Sequence, residues 1–178
     1  MGRKEVLYTA IYSSTDNQAD LTEILEKFTG DNFDTFDKLR DLEATYPDFY
    51  KWYFFKVQLD IKHHRNGRRL IFAISDIIDG DKLIKRLTGL AIIKDTVREK
   101  KICTFRVFPE YRGQGVGTKL LQKCFDFLGT KKPLISISEN SLDAFYKIIL
   151  DNEWTLCDIL HDYYKKGVTE YVFNGYLW

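Results

Sequence analysis

The stretch Thr104-Phe105-Arg106-Val107-Phe108-Pro109-Glu110-Tyr111-Arg112-Gly113-Gln114-Gly115-Val116-Gly117-Thr118 decides how the rest of the chain is read. Its β-branched and aromatic start predicts a strand ending at Phe108. Pro109 brings no N–H and stops the ladder. Glycines then recur at 113, 115 and 117, across the start of a helix marked by Val116, Leu120, Cys124 and Leu128. Amides without side chains beside them can converge on an anion, and the positive end of the helix dipole adds to the attraction. The local chemistry is phosphate or pyrophosphate binding.

Spacing narrows the ligand. A Walker A loop needs Gly-Lys-Ser/Thr after its first glycine and four further residues, and counting from Gly113 puts Thr118 where the second glycine belongs. The dinucleotide fingerprint Gly-x-Gly-x-x-Gly fails at the same residue. The pattern that is met is Arg/Gln-x-x-Gly-x-Gly/Ala, by Arg112, Gly115 and Gly117.

Towards the C-terminus, Gly129 ends the helix and Leu134–Ser138 predicts a short strand. Leu142, Phe145, Tyr146 and Ile149 share one helix face, and Trp154–Leu160 and Glu170–Phe173 predict two closing strands. Towards the N-terminus, strands are expected at Ile102–Phe108, Leu87–Lys94 and Leu70–Ile74, with a hairpin turn at Asp79-Gly80-Asp81 and a turn at Gly67. Further back, a helix starting at Pro47 runs to Leu59, and a shorter one covers Phe36–Ala44. Leu21, Ile24, Leu25 and Phe28 mark a helix ended by Gly30, and Val6–Tyr12 is a strand. The order predicts an α/β fold with a mixed sheet and helices packed on it. The 178 residues are read as one domain, 1–178.

Lys plus Arg number 27 and Asp plus Glu 26. A net charge of +1 argues against a broad electrostatic grip on nucleic acid or an anionic membrane. The three cysteines, Cys103, Cys124 and Cys157, form no CxxC pair and read as small core residues in a reducing compartment. His63, His64 and His161 lack metal-ligand spacing, so no metal is expected. Asp76, Asp79 and Asp81 lack the spacing of a calcium loop and read as the hairpin turn. No signal-like or membrane-spanning apolar run is visible, and the expected location is cytoplasmic. The run Lys62–Arg69 is the sharpest basic cluster and reads as a solvated loop.

On the pattern Arg112-x-x-Gly115-x-Gly117, with the strand before it and the helix, strand and helix after it, the chain resembles the GNAT superfamily of N-acetyltransferases. Motif-level likeness covers Ile102–Trp154, and the order of elements matches over most of the chain. The resemblance implies a GNAT-like fold, with a mostly antiparallel sheet whose central strands splay and helices flanking it. It implies acetyl-CoA as cosubstrate and direct transfer of acetyl to a primary amine. The acceptor stays open between a small molecule, a protein and an aminoacyl-tRNA.

The resemblance also implies roles by position. The amides of Gly113, Gln114, Gly115, Val116, Gly117 and Thr118 would hold the pyrophosphate, with Arg112 bracing the loop. The backbone of Arg106, Val107 and Phe108 would pair with the pantetheine arm, and the Val107 N–H would face the oxyanion. Asn140 would contact the cofactor or cap the following helix. Tyr146 is the candidate general acid, although its register to Glu153-Trp154 is one turn off. No general base is evident; Glu139, Asp76, Glu99 and His63 are the positional candidates, and proton removal through water is an alternative. The aromatic helix Pro47–Leu59 offers Trp52 or Tyr53 as a wall of the acceptor pocket, against core packing or a homodimer contact. The alternative function is a non-catalytic CoA-binding sensor or interaction module on the same fold.

Overall fold

The computed structural model describes residues 4–14, 40, 43 and 46–178. The helix expected over Leu21–Phe28 with Gly30 lies outside them, as does the one over Phe36–Ala44 apart from residues 40 and 43.

Strand β1 spans Glu5–Ser13. Helix α1 (Phe49–Trp52) continues through a π-helical turn (Tyr53–Val57) into α2 (Gln58–Lys62). The strands β2 (Arg69–Asp79), β3 (Lys82–Asp95) and β4 (Lys100–Val107) follow. A 3-10 turn at Pro109–Tyr111 leads to α3 (Val116–Leu128). The chain closes with β5 (Ile135–Ser138), a 3-10 turn (Glu139–Ser141), α4 (Leu142–Asp151), β6 (Leu156–His161) and β7 (Thr169–Phe173).

The strands form two antiparallel sheets, β1-β2-β3-β4 and β5-β7-β6. The expected α/β architecture is present, with β2 and β3 longer than the apolar runs alone indicate. Their extra residues are the half-polar ladder from Ile74↔Leu87 to Asp79↔Lys82, closed by Gly80 in the turn. These residues, Ile74-Ser75-Asp76-Ile77-Ile78-Asp79, mix polar and apolar side chains on both faces, so no apolar run marks them.

Two faces of the larger sheet are covered. Val116, Leu120, Cys124 and Leu128, one stripe of α3, have no exposed surface. Each fully buried leucine on such a stripe is worth about 1.5–3 kcal/mol. Arg68 and Arg69 show that the other helices lie opposite. Arg69 reaches α3, with its guanidinium 4.4 Å from the Phe127 ring centroid, while Arg68 reaches the α1 side, 5.7 Å from the Trp52 ring. Adjacent strand residues point to opposite faces.

The helix expected to start at Pro47 instead begins at Phe49, because Asp48 sits in the left-handed region with φ 65°. Only one side of the aromatic segment is covered. Phe49, Tyr53 and Val57 are buried in the core, and Phe54 and Phe55 face outwards. A chain of hydroxyls crosses the buried middle of the sheet. Thr9 Oγ1 lies 2.8 Å from Ser75 Oγ, which lies 2.7 Å from Thr88 Oγ1, and Thr88 donates to the Ala73 carbonyl. Each buried hydroxyl is satisfied by its neighbour.

Of the cysteines, Cys124 is buried as expected. Cys103 is half-buried and packs against the core, whereas Cys157 is half-buried and does not join it, which corrects the reading of Cys157 as a core residue. No helix among the described residues is long and apolar enough to cross a membrane.

Candidate active site

β4 and β5 are parallel and meet at one place. The Ile102 amide donates to the Leu134 carbonyl at 3.0 Å, and the Leu134 amide donates to the Lys100 carbonyl at 2.8 Å. Past this bridge β4 stays with β3 and β5 stays with β7, so the two strands part. Between them opens a cleft of about 1760 Å³. Single-ligand pockets span about 300–1,000 Å³, so the opening has room for two molecules.

A bulge decides which backbone groups face the gap. Ile93 pairs with Ile102 but Ile92 with Thr104, leaving Cys103 as an extra residue in β4. The Ile102 N–H points at β5, and unbroken alternation would aim Thr104 and Arg106 the same way. The extra residue resets the alternation. The Phe108 N–H bonds back to the Thr88 carbonyl at 3.0 Å, so the Phe105 and Val107 amides aim into the gap.

At one end the cleft meets the glycine loop. Gly115 is the residue before α3, at φ 82°, a left-handed conformation that a side chain would strain. The Arg112 Nε donates to the Val107 carbonyl at 3.1 Å, so Arg112 ties the loop to the end of β4. Gly113, Gly117 and Thr118 line the cleft with Arg106, Val107, Arg112, Gly115 and Asn140. Asn140 lies in the 3-10 turn, and Ser141 is the residue that precedes α4, so Asn140 does not cap that helix.

Of the expected cofactor contacts, the Phe108 backbone is engaged elsewhere, and the side chains of Val116 and Gln114 turn from the cleft, which leaves their expected role to the backbone amides. Phe108 is buried; its amide is bonded to Thr88 and its carbonyl accepts from the Tyr111 amide, so neither group pairs across the gap as expected. Val116 is buried beneath the loop. The Gln114 side chain turns away to β1. Its Oε1 accepts from the Val6 amide and its Nε2 donates to the Lys4 carbonyl, both at 2.9 Å.

Tyr146 does not reach the cleft. It is 62% exposed, and Ala144, Phe145 and Ile148 are the α4 residues that line the gap. The 3-10 turn before α4 sets this rotation, and Phe145 packs edge-on against Phe105 at 5.8 Å. Trp52 lines the cleft, whereas Tyr53 is buried and stacks on Phe49.

The expected base candidates have other employment. Asp76 pairs with Lys85, Glu99 with Lys94, and Glu139 accepts from the Thr169 amide at 3.1 Å. His63 is exposed in the turn after α2. In the basic run, Arg68 is buried and not solvated. It pairs with Asp60 at 3.5 Å and donates to the Cys103 Sγ at 3.0 Å.

A polar cluster that local sequence patterns do not mark stands on the α1 side of the gap. In register, Ser136 faces Val172 and Ser138 faces Glu170, so these side chains share one face of the second sheet. The opposite face carries Phe173, which packs with Trp154 against Phe125 of α3. Tyr46 and Tyr164 line the cleft with their rings edge-on at 5.2 Å. Burial raises the Tyr46 phenol well above its usual range, with the Glu170 and Tyr164 charges adding, while a hydrogen bond with Ser138 offsets part. Burial pushes Tyr164 up to about 12, with a hydrogen bond to Ser136 acting the other way. Burial alone pushes Glu170 up to about 7. Glu170 is 1% exposed, and its Oε2 has no hydrogen-bond partner among the described residues.

The cleft therefore has two unlike ends. One is a cationic, amide-rich loop at a helix N-terminus, suited to a phosphate-bearing molecule. The other is a hydroxyl-rich, aromatic wall backed by a carboxyl group. Among the described residues no group of side chains could hold a metal ion.

Residues 32–147 match the family described as Acetyltransferase (GNAT) family, well over half the chain. Solved structures of similar fold include a GNAT-family protein of Desulfovibrio desulfuricans, with a TM-score of 0.54 and 15% identity over 93% of this chain and 97% of that one. A chain of the NatC complex bound to Gag peptide and CoA gives 0.55 and 14%, covering 94% and 97%. The Salmonella typhimurium protein yncA, solved with its cofactor acetyl-CoA, gives 0.50 and 18%, covering 93% and 91%. At these identities the likeness is one of fold. No curated protein matches the sequence.

Proposed function

The chain belongs to the GNAT acetyltransferase family, and from that membership we propose that it transfers acetyl from acetyl-CoA to a primary amine by direct attack. The observation that carries this reading is the parting of β4 and β5 past Ile102 and Leu134, beside a glycine loop on α3. The free edge of β4 can pair with an extended amide-bearing arm as another strand would. The amides at the start of α3 and the cations Arg106 and Arg112 suit its phosphates. Half-buried Phe145 and Ile148 supply apolar cover.

Acetyl-CoA, when bound, would supply the thioester whose carbonyl the amine attacks. The Val107 N–H, aimed into the gap, would stabilise the oxyanion that then forms. Trp52, Tyr46 and Tyr164 stand on the side from which the amine would enter. The proposal includes one domain over residues 1–178 and a cytoplasmic location, which the three free cysteines favour. A homodimer is consistent with the exposed Phe54 and Phe55.

One observation favours a non-catalytic CoA-binding module instead, namely that α4 presents Phe145 and Ile148 to the gap and no acid. Calorimetry with acetyl-CoA, followed by a CoA-release assay against a panel of amines, separates the two. Thr118→Glu is the control, because Thr118 is exposed on α3 and a carboxylate there repels pyrophosphate. Wild-type binding that Thr118→Glu abolishes supports the site. Binding without turnover selects the module, and no binding in either protein overturns both readings.

A further inference from the structure

We propose that the acceptor amine is carried by an acidic polypeptide segment, whose carboxylates are held by Lys101 and Arg98 at the β3–β4 turn end of the cleft. This deepens the transferase reading and rests on it.

Register brings the cations together. Arg69 pairs with Ile93 and Ile93 with Ile102, while Lys94 pairs with Lys101. Arg69 reaches Phe127, so its row faces α3. The neighbouring row, Arg68, Lys94 and Lys101, therefore faces the α1 side, from which the amine would enter. All three line the cleft, and Arg98 joins them from the turn between β3 and β4. Like charges directly opposite on a ladder are destabilising, so the Lys94–Lys101 pair works against the fold.

Two of the four charges are answered. Arg68 is buried with Asp60, 3.5 Å away, and Lys94 pairs with Glu99. Asp95 takes Lys100 at 2.7 Å, and Asp48, which also lines the cleft, is held by Lys51 at 3.2 Å. Lys101 and Arg98 have no carboxylate partner among the described residues. Lys101 is half-buried beside the opening, so a carboxylate bound there would be partly shielded from water and salt.

These two cations stand apart from the phosphate loop. Lys101 precedes Val107 by six residues, about 20 Å of extended strand, and the loop lies beyond Val107. The reacting carbonyl would lie beside the Phe105 and Val107 amides, so an anion at Lys101 is well separated from the amine. A lysine side chain closes part of that span, and the rest corresponds to about two to four residues of extended peptide. A chain with a free amine and an acidic residue at that spacing fits both ends. Val97 and Trp178, both fully exposed, line the same mouth and offer such a chain apolar contact. A polynucleotide relies on many phosphate contacts, whereas two open cations match one or two carboxylates.

The test is a steady-state assay with acetyl-CoA and synthetic peptides that share a free N-terminal amine. They differ only at the third to fifth residues, which are Asp, Ser or Lys. A polyamine, an aminoglycoside and a short RNA carrying a primary amine are run beside them. The acidic peptide should show a kcat/KM about tenfold above the neutral one, with the basic one lowest, and the gap should narrow as salt is raised. The double variant Arg98→Glu, Lys101→Glu should invert the order, so that the basic peptide overtakes the acidic one. A merely destabilised protein loses rate on all three peptides alike. Acetyl-CoA Kd by calorimetry should be unchanged, which checks that the variant is folded. Lys101→Gln, a milder change, should reduce the acidic preference by about threefold, mainly through the acceptor KM. A preference for the basic peptide or the polycations overturns the proposal and leaves the transferase reading standing. So do equal rates on all three peptides, an order that survives charge reversal, and fastest turnover of the RNA-borne amine. A wild type that binds acetyl-CoA but acetylates nothing in the panel overturns the reading, and the proposal with it.

Discussion

The Ile102 amide and the Leu134 carbonyl, 3.0 Å apart, mark where β4 and β5 stop behaving as one sheet. On one side of that bond the backbone is spent on the fold. On the other, the Phe105 and Val107 amides face open space. The extra residue Cys103 makes the difference, by changing which residues present their N–H groups to the gap. A molecule that enters as a strand is held at a fixed distance from the Arg112–Thr118 loop, because both belong to the same turn of chain.

Arg112→Ala removes the Nε bond to the Val107 carbonyl and one cation beside the loop. Acetyl-CoA Kd should rise by about tenfold, the equivalent of about 1.4 kcal/mol. The melting temperature should move by less than about 2 °C, because the bond is exposed. Calorimetry and a thermal scan read the two effects separately.

Tyr146→Phe should leave kcat within about twofold of wild type, well inside the range of neutral surface changes. The residue is 62% exposed and does not line the cleft. A loss of kcat of about 100-fold, the size of a lost general acid, would return Tyr146 to the reaction.

Gly67→Ala tests a contact at the end of β3 opposite the glycine loop. At φ 53°, a Cβ on this residue would stand 1.9 Å from the Asp95 carbonyl oxygen, so β3 must move. The strained turn and the displaced strand should together cost about 3 kcal/mol or more in urea denaturation. Acetyl-CoA affinity, measured well below the melting point, should be unchanged.

Glu170 makes stability depend on pH. Its proton affinity is raised from an ordinary value of 4.5 to about 7 in the folded protein. Between those values the folded state holds a proton that the unfolded state has released. Stability contributed by the protonated group is therefore present below about pH 4.5 and lost as pH rises to about 7. A shift of that size corresponds to about 3 kcal/mol. Glu170→Gln should match wild type near pH 5 and exceed it at pH 8. Equal wild-type and variant differences at both pH values would mean that the carboxyl does not titrate in this window.

Trp52→Ala removes an aromatic wall from the α1 side of the cleft. The acceptor KM should rise by about tenfold while the acetyl-CoA KM stays constant. The Arg68 guanidinium, 5.7 Å from that ring, remains held by Asp60 and Cys103.

The fold was legible where local chemistry repeats with a short period. The glycines at 113, 115 and 117, the stripe Val116–Leu128 and the alternation in β5 need only a few neighbouring residues to be read. The site was legible on its phosphate side for the same reason. The acceptor side was not, because Tyr46, Ser138, Tyr164 and Glu170 are scattered along the chain: Ser138 meets Glu170 through sheet register, and the two tyrosines come in from segments outside the strands. The bulge at Cys103 leaves no mark in a strand of ordinary composition. Tyr146 was placed on the right helix but on the wrong side of it. Phe145 takes the inward position, and one residue is about 100° of helix rotation.

Gln114 gives the edge strand a hold on the loop. Its amide bridges the Val6 N–H and the Lys4 carbonyl across more than a hundred residues of sequence. The first strand and the helix-start loop thus share one conformational equilibrium, and whatever frays β1 at Lys4 also loosens the loop. By linkage, the coupling through Gln114 is reciprocal: a ligand that steadies the loop steadies the strand by as much as an ordered strand strengthens that ligand's binding. Amide exchange at Val6 is then a reporter, far from the chemistry, of how full the cleft is.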